Sequence, residues 1–156
     1  MLTLITKEDA EGLRESYRLE CKLAQGRDGL GSLPENVWES YSAFANSEGG
    51  DIVLGLEELA DKSFRLAGIE KVKEALEALW QGLNDPRTVS ANLLSPRDVR
   101  AVHIESKTIL IIHVPAAEGL EKPVYINGDR PSGTYKRHGS SDVQVGEETI
   151  LQLMKG

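Results

Sequence analysis

The chain carries a single cysteine, Cys21, so it can close no internal disulfide, and that usage suits a reducing cytoplasm. No apolar run approaches the roughly 20 residues that a membrane-spanning helix needs, and the first residues lack a signal-peptide core. These two absences set the expectation of a soluble, cytoplasmic protein. Positive charge is also in short supply: 18 Lys and Arg face 25 Asp and Glu, a formal net charge of −7. That is the wrong sign for a domain that grips nucleic acid by bulk electrostatics. Any such binding must use a local basic patch, a metal bridge, or basic surface lent by another subunit or domain. Missing too are the Gly-x-Ser-x-Gly, paired-histidine and cysteine-zinc signatures. Gln25–Gly31 holds three glycines but lacks the Gly-Lys-Ser/Thr ending of a phosphate-cradling loop. Repeats and low-complexity segments are absent.

What the chain does have is an ordered centre. Val37, Tyr41, Phe44 and Ala45 fall at helical spacing, so Asn36–Asn46 reads as a helix with one apolar face, opened by a Ser32–Glu35 capping box. Gly49-Gly50 stops it, and Ile52-Val53-Leu54 reads as a strand buried on both faces, ending at Glu57-Glu58. Upstream, Thr6 caps a short helix that ends before Ser16. Tyr17, Leu19 and Cys21 then alternate with Arg18, Glu20 and Lys22 as a half-buried strand. Downstream come a hairpin closed by Phe64–Gly68, an amphipathic helix from Ile69 to Trp80 ending near Asn84, and a strand at Val89–Leu94. A hairpin of Ala101–Glu105 with Thr108–Val114 follows, then strands at Pro123–Ile126 and Thr134–His138, and a last helix from Gly146 to Met154. The expected class is α+β, a mixed sheet packed with two to three helices in one domain over residues 1–156. Tyr17–Leu23 and Asp51–Leu56 are expected in one sheet beneath the Asn36–Asn46 helix. Leu19, Phe44, Val53 and Leu110 are expected in one core.

Two constellations could carry chemistry. Glu15, Glu20 and Glu58 are three acids that strand geometry could bring together, and hard divalent cations such as magnesium or manganese take carboxylate oxygens. The plain alternative is three solvated glutamates among many acids. Lys22, Lys136 and Arg137 could contact phosphate, with Tyr135 nearby to stack on a base. Alternation along a strand puts Lys136 and Arg137 on opposite faces, so at most one of them helps; the competing reading is an edge strand protected by lysine. Cys21, on the apolar side of its strand, reads as a buried inert thiol. His113 reads as a sheet histidine, and His138 as the most exposed of the three.

The order of these pieces resembles a known family. Glu15-Ser-Tyr-Arg-Leu-Glu-Cys-Lys22, Ala43-Phe-Ala-Asn-Ser-Glu-Gly-Gly50 and Ile52-Val-Leu-Gly-Leu-Glu-Glu58 are similar to the Schlafen-type divergent AlbA domain, AlbA_2. Lys122-Pro-Val-Tyr125 and Gly133-Thr-Tyr-Lys-Arg-His-Gly-Ser140 resemble its closing strands, so the likeness runs from about residue 12 to 142, with the 146–154 helix beyond it. The resemblance implies a nucleic-acid-associated, DNA-binding regulatory domain, found in bacterial transcriptional regulators and RecG-like helicase-related proteins. It also implies a chain that can form a homodimer or continue past Gly156 into a fused C-terminal domain. A second implication is a metal-dependent endoribonuclease: Glu15 and Glu20 match two glutamates of that site, and Glu58 stands where the family usually has aspartate. A third reading, a protein-interaction or dimerisation module without DNA or RNA contact, stays open because the charge balance favours it.

Overall fold

The computed structural model describes residues 2–4, 6–24 and 33–155. The glycine loop at 25–31 and the Ser32 member of the expected capping box lie outside the described residues. The first helix, α1 (Lys7–Glu11), is fixed by a reciprocal cap: Thr6 Oγ1 accepts from the Asp9 amide at 3.1 Å, and the Asp9 carboxylate accepts from the Thr6 amide at 3.0 Å. Strand β1 (Leu19–Lys22) leads across to helix α2 (Val37–Ala45), which returns the chain to strand β2 (Gly50–Leu54). β1 and β2 pair in parallel, with Glu20 opposite Ile52 and Lys22 opposite Leu54. A parallel pair requires such a crossover connection, and α2 provides it.

At the end of α2 the Gly49 amide donates to the Phe44 carbonyl at 2.9 Å, and Gly49 takes φ +79°. Gly50 lies against the Phe44 ring, where an added Cβ would come within 2.5 Å of it. The double glycine therefore serves both the left-handed turn and the tight passage of backbone under an aromatic ring. Next come β3 (Leu56–Glu58) and β4 (Phe64–Leu66), a separate hairpin, and then α3 (Val72–Leu83). β5 (Val99–Ile104) and β6 (Lys107–Val114) complete a four-stranded sheet in the order β1-β2-β6-β5, with β6 antiparallel to both β2 and β5.

The expectation of one shared core is corrected to two. Alternate residues of the central strands face opposite sides of the sheet. Ile52, Leu54, Leu110 and Ile112 join Phe44, Tyr41 and Leu79 under α2 and α3. Val53, Ile109 and Ile111 join Leu4, Ala10, Leu56 and Phe64 on the other face, with Leu19 packed at the edge of that cluster. Phe44, Val53 and Leu110 are fully buried. A sheet covered on both faces explains why β2 and β6 read as continuous apolar runs.

The C-terminal part is held less by sheet than by side chains of α2. Short α4 (Arg130–Gly133) precedes β7 (Tyr135–His138), which pairs with β8 (Ser141–Gln144), and α5 (Glu147–Lys155) follows. The expected strands at 89–94 and 123–126 are reduced to isolated bridges, Val89 with Ile126 and Tyr125 with Thr134. Their hydrogen bonds go elsewhere. Asn46 accepts from the Val124 amide at 2.8 Å and donates to the carbonyls of Val124 at 2.8 Å and Tyr135 at 2.9 Å. Ser42 donates to the Val124 carbonyl at 2.7 Å and accepts from the Tyr135 amide at 3.0 Å. One turn apart on α2, these two buried side chains act in place of a neighbouring strand. β8, in the stretch between the last expected strand and the last helix, is the hairpin partner of β7.

Candidate functional site

A bridge between Ser16 and Leu19 sets the geometry of the first acids. Their mutual backbone hydrogen bonds, at 3.0 and 3.3 Å, fold residues 17 and 18 into a tight turn ahead of β1. Glu15 is thereby turned back alongside the strand, where its carboxylate accepts from the Cys21 amide at 3.1 Å. Glu58 arrives on β3, which begins where β1 ends: the Gly55 amide donates to the Lys22 carbonyl at 2.8 Å. Glu15, Glu20 and Glu58 consequently line one cleft of about 570 Å³, together with Cys21, Lys22, Glu35 and Asn36. Burial lifts the Glu15 pKa to about 7, reinforced by the hydrogen bond with Glu20 and by the charges of Glu20 and Glu58. Burial, then the same three carboxylates, pushes the Cys21 thiol upward, which leaves it unreactive.

The acids share the cleft without gathering around a point. Among the described residues, no three acidic, histidine or cysteine side chains lie together as a metal-holding group. Glu20 has protein partners on both oxygens: Arg137 Nη1 at 2.7 Å and Lys22 Nζ at 3.5 Å. Glu58 is largely exposed, with Lys62 at 3.9 Å. As placed, the carboxylates do not fit a divalent cation centre. They form a close pair, Glu15 with Glu20, and a third charge across the cleft.

Arg137 corrects another expectation. It is not a phosphate contact but a buried guanidinium whose donors all end on protein. Nη1 bonds Glu20 and Asp142, each at 2.7 Å; Nη2 bonds the carbonyls of Ser16 at 2.8 Å and Leu19 at 2.9 Å; Nε reaches Ser16 at 3.3 Å. Its plane lies 4.7 Å from the Phe44 ring centroid. Arg137 therefore clamps the very turn that separates Glu15 from Glu20. Asp142, held in turn by Ser40 Oγ at 2.5 Å, closes the network. Of the other expected contacts, Lys22 lies in the carboxylate cleft and Tyr135 in a neighbouring one. Lys136 alternates with Tyr135 and Arg137, whose side turns to α2, so it projects away from both. The four residues do not form one patch.

Sequence reasoning missed Ser40, Ser42, Asn46, Asp142 and Trp38. A usable signal existed for three of them: Ser40, Ser42 and Asn46 lie on or at the end of a helix whose residues from Ser40 to Asn46 are all buried, and buried polar groups require partners. The neighbouring cleft, about 550 Å³, is lined by Glu35, Asn36, Trp38, Glu39, Thr88, Ile126, Asn127 and Tyr135. Glu35 and Asn36 border both clefts, which makes them two compartments of one groove along the start of α2.

Comparison with known proteins fits this architecture. The family described as Schlafen, AlbA_2 matches residues 15–146. The solution structure of the N-terminal domain of a RecG-related protein from Nitrosomonas europaea is 26% identical, with a TM-score of 0.61 over 90% of each chain. The crystal structure of the DIP2311 protein from Corynebacterium diphtheriae has the same fold at 22% identity and a TM-score of 0.60; the match covers 89% of this chain but 24% of that one. No curated protein matches the chain. Among the described residues, no helix is long and apolar enough to cross a membrane.

Proposed function

This chain belongs to the Schlafen AlbA_2 family, and from that premise we propose that it is a nucleic-acid-associated regulatory domain that acts beside a second copy or a fused domain. The observation that carries this reading is the likeness, over nine tenths of both chains, to the N-terminal domain of a protein described as related to the DNA helicase RecG. Several of its exposed cations are already engaged. Exposed Arg18 pairs with Glu48 at 3.6 Å, Arg87 with Asp85 at 3.2 Å, and Arg65 with Glu57. With a net charge of −7, affinity must draw on local cations, on the groove or on cations of the partner. Fluorescence anisotropy with labelled single-stranded RNA, single-stranded DNA and duplex DNA tests the proposal. Saturable binding is expected; a flat signal for all three at the highest soluble protein concentration removes it.

Cleavage of structured RNA is the second reading. It is favoured by one arrangement: Glu15, Glu20 and Glu58 face a common cleft and raise proton affinity at Glu15. The partners already held by Glu20 and Glu58 count against it. Incubation of RNA with magnesium, manganese or chelator decides it, since cleavage must require the cation and be lost in Glu15→Gln and Glu20→Gln.

A further inference from the structure

We propose that the cleft between Trp38 and Tyr135 is a slot for an unpaired base of single-stranded nucleic acid. The inference rests on the nucleic-acid reading above and adds to it the form of the strand and the residues that take it.

Both aromatic walls are fixed before any ligand arrives. The Trp38 indole packs on Gly82 of α3, where any Cβ would overlap the ring, and meets Tyr41 edge-on at 6.2 Å and 80°. Tyr41 is itself locked: its hydroxyl donates to the Ala91 carbonyl at 2.8 Å and accepts from the Leu93 amide at 2.8 Å. Tyr135 is held on the other side by Ser42 at its amide, by Asn46 at its carbonyl and by Glu39 at its hydroxyl. Rigid, half-buried aromatics lose little entropy on stacking, and bases of every kind present a π-face to them.

The polar lining selects a base over a phosphate. Glu35 and Glu39 repel phosphate but can accept hydrogen bonds from exocyclic amino groups. The side-chain amides of Asn36 and Asn127 are exposed and have no partner among the described residues, so they are available to a base edge. A neutral ring thus enters where the backbone cannot. The slot opens onto the compartment that holds Lys22, Glu15 and Glu20 through the shared Glu35 and Asn36, so a neighbouring nucleotide of the same strand would lie along the carboxylate cleft. A base inside a duplex is already stacked and cannot enter without being extruded, which restricts the slot to unpaired nucleotides.

The experiment uses the full chain in the Trp80→Phe background, leaving Trp38 as the sole indole. Short single-stranded RNA and DNA are titrated while Trp38 fluorescence and its indole NMR signal are followed. Expected are quenching and a shifted signal with single strands, competition by unlabelled single strands but not by duplex, and a shallow salt dependence, with a log–log slope of magnitude below about 2. Tyr135→Leu and Asn127→Ala keep the fold readable should Trp38→Ala disturb packing on Gly82. Tyr135→Leu is expected to weaken binding about 5- to 100-fold. Unchanged affinity in Tyr135→Leu and Asn127→Ala, with binding retained, overturns the slot and leaves the nucleic-acid reading intact. No binding of any oligonucleotide ends both. An arginine-rich peptide that shifts Trp38 when oligonucleotides do not also overturns the slot, because its acids would then serve a basic protein segment.

Discussion

Replacing Glu15 by Gln preserves the side chain's length and its acceptor for the Cys21 amide, while removing a charge crowded by Glu20 and Glu58. In the folded protein the Glu15 pKa stands at about 7 against an ordinary 4.5. Between those two values the folded state binds more protons than the unfolded one, so stability falls as pH rises from about 4.5 to about 7 and is level on either side. The gap of about 2.5, at 1.36 kcal/mol for each pH unit, sets a ceiling near 3.4 kcal/mol. Glu15 is only half-buried and water screens its neighbours, so on the order of 1–2 kcal/mol is the reasonable expectation. Urea melts of wild type and Glu15→Gln across pH 4 to 8.5 provide the assay. The two should coincide at pH 4 and diverge above neutrality, with the variant more stable by about 1–2 kcal/mol. A pH-independent difference, or a variant less stable at pH 8, would refute the crowded-carboxylate account.

Three further outcomes follow from the packing. Asn46→Ala strands the Val124 amide and the Tyr135 carbonyl, while the Val124 carbonyl keeps Ser42, and should cost about 2–4 kcal/mol, with faster amide exchange at Val124 and in β7 as the local readout. Arg137→Met leaves the half-buried Asp142 without its cation and Glu20 with Lys22 alone; about 3–5 kcal/mol is expected by chemical denaturation, and Arg137→Lys should recover little because one ammonium cannot span four acceptors. Phe44→Ala removes a fully buried ring that also carries the Arg137 plane and closes over Gly50, and should cost about 3–5 kcal/mol in thermal or urea unfolding. A loss under about 1 kcal/mol in any of the three would show that its contacts are not held in solution.

The chain's local chemistry alone located its two longer central helices and the central strands of its sheet. Periodicity located α2, α3, β2 and β6, because apolar spacing records which face is buried whatever lies opposite. The Gly49-Gly50 pair announced a turn that side chains obstruct. The likeness to the family's motifs implied a shared site for Glu15, Glu20 and Glu58, and the three do line one cleft. Tertiary structure decided what those residues face. Arg137 looked like an exposed cation on a strand, yet β7 lies against α2 and turns that guanidinium inward onto residues 117 and 121 positions away. The 123–126 segment reads as a strand from its composition, but Val124 bonds the side chains of Asn46 and Ser42, partners no local pattern can reveal. Trp38 and Tyr135, 97 positions apart, come to line the same cleft only through that docking. Pairing across such separations depends on how layers stack, and short-range spacing carries no record of it.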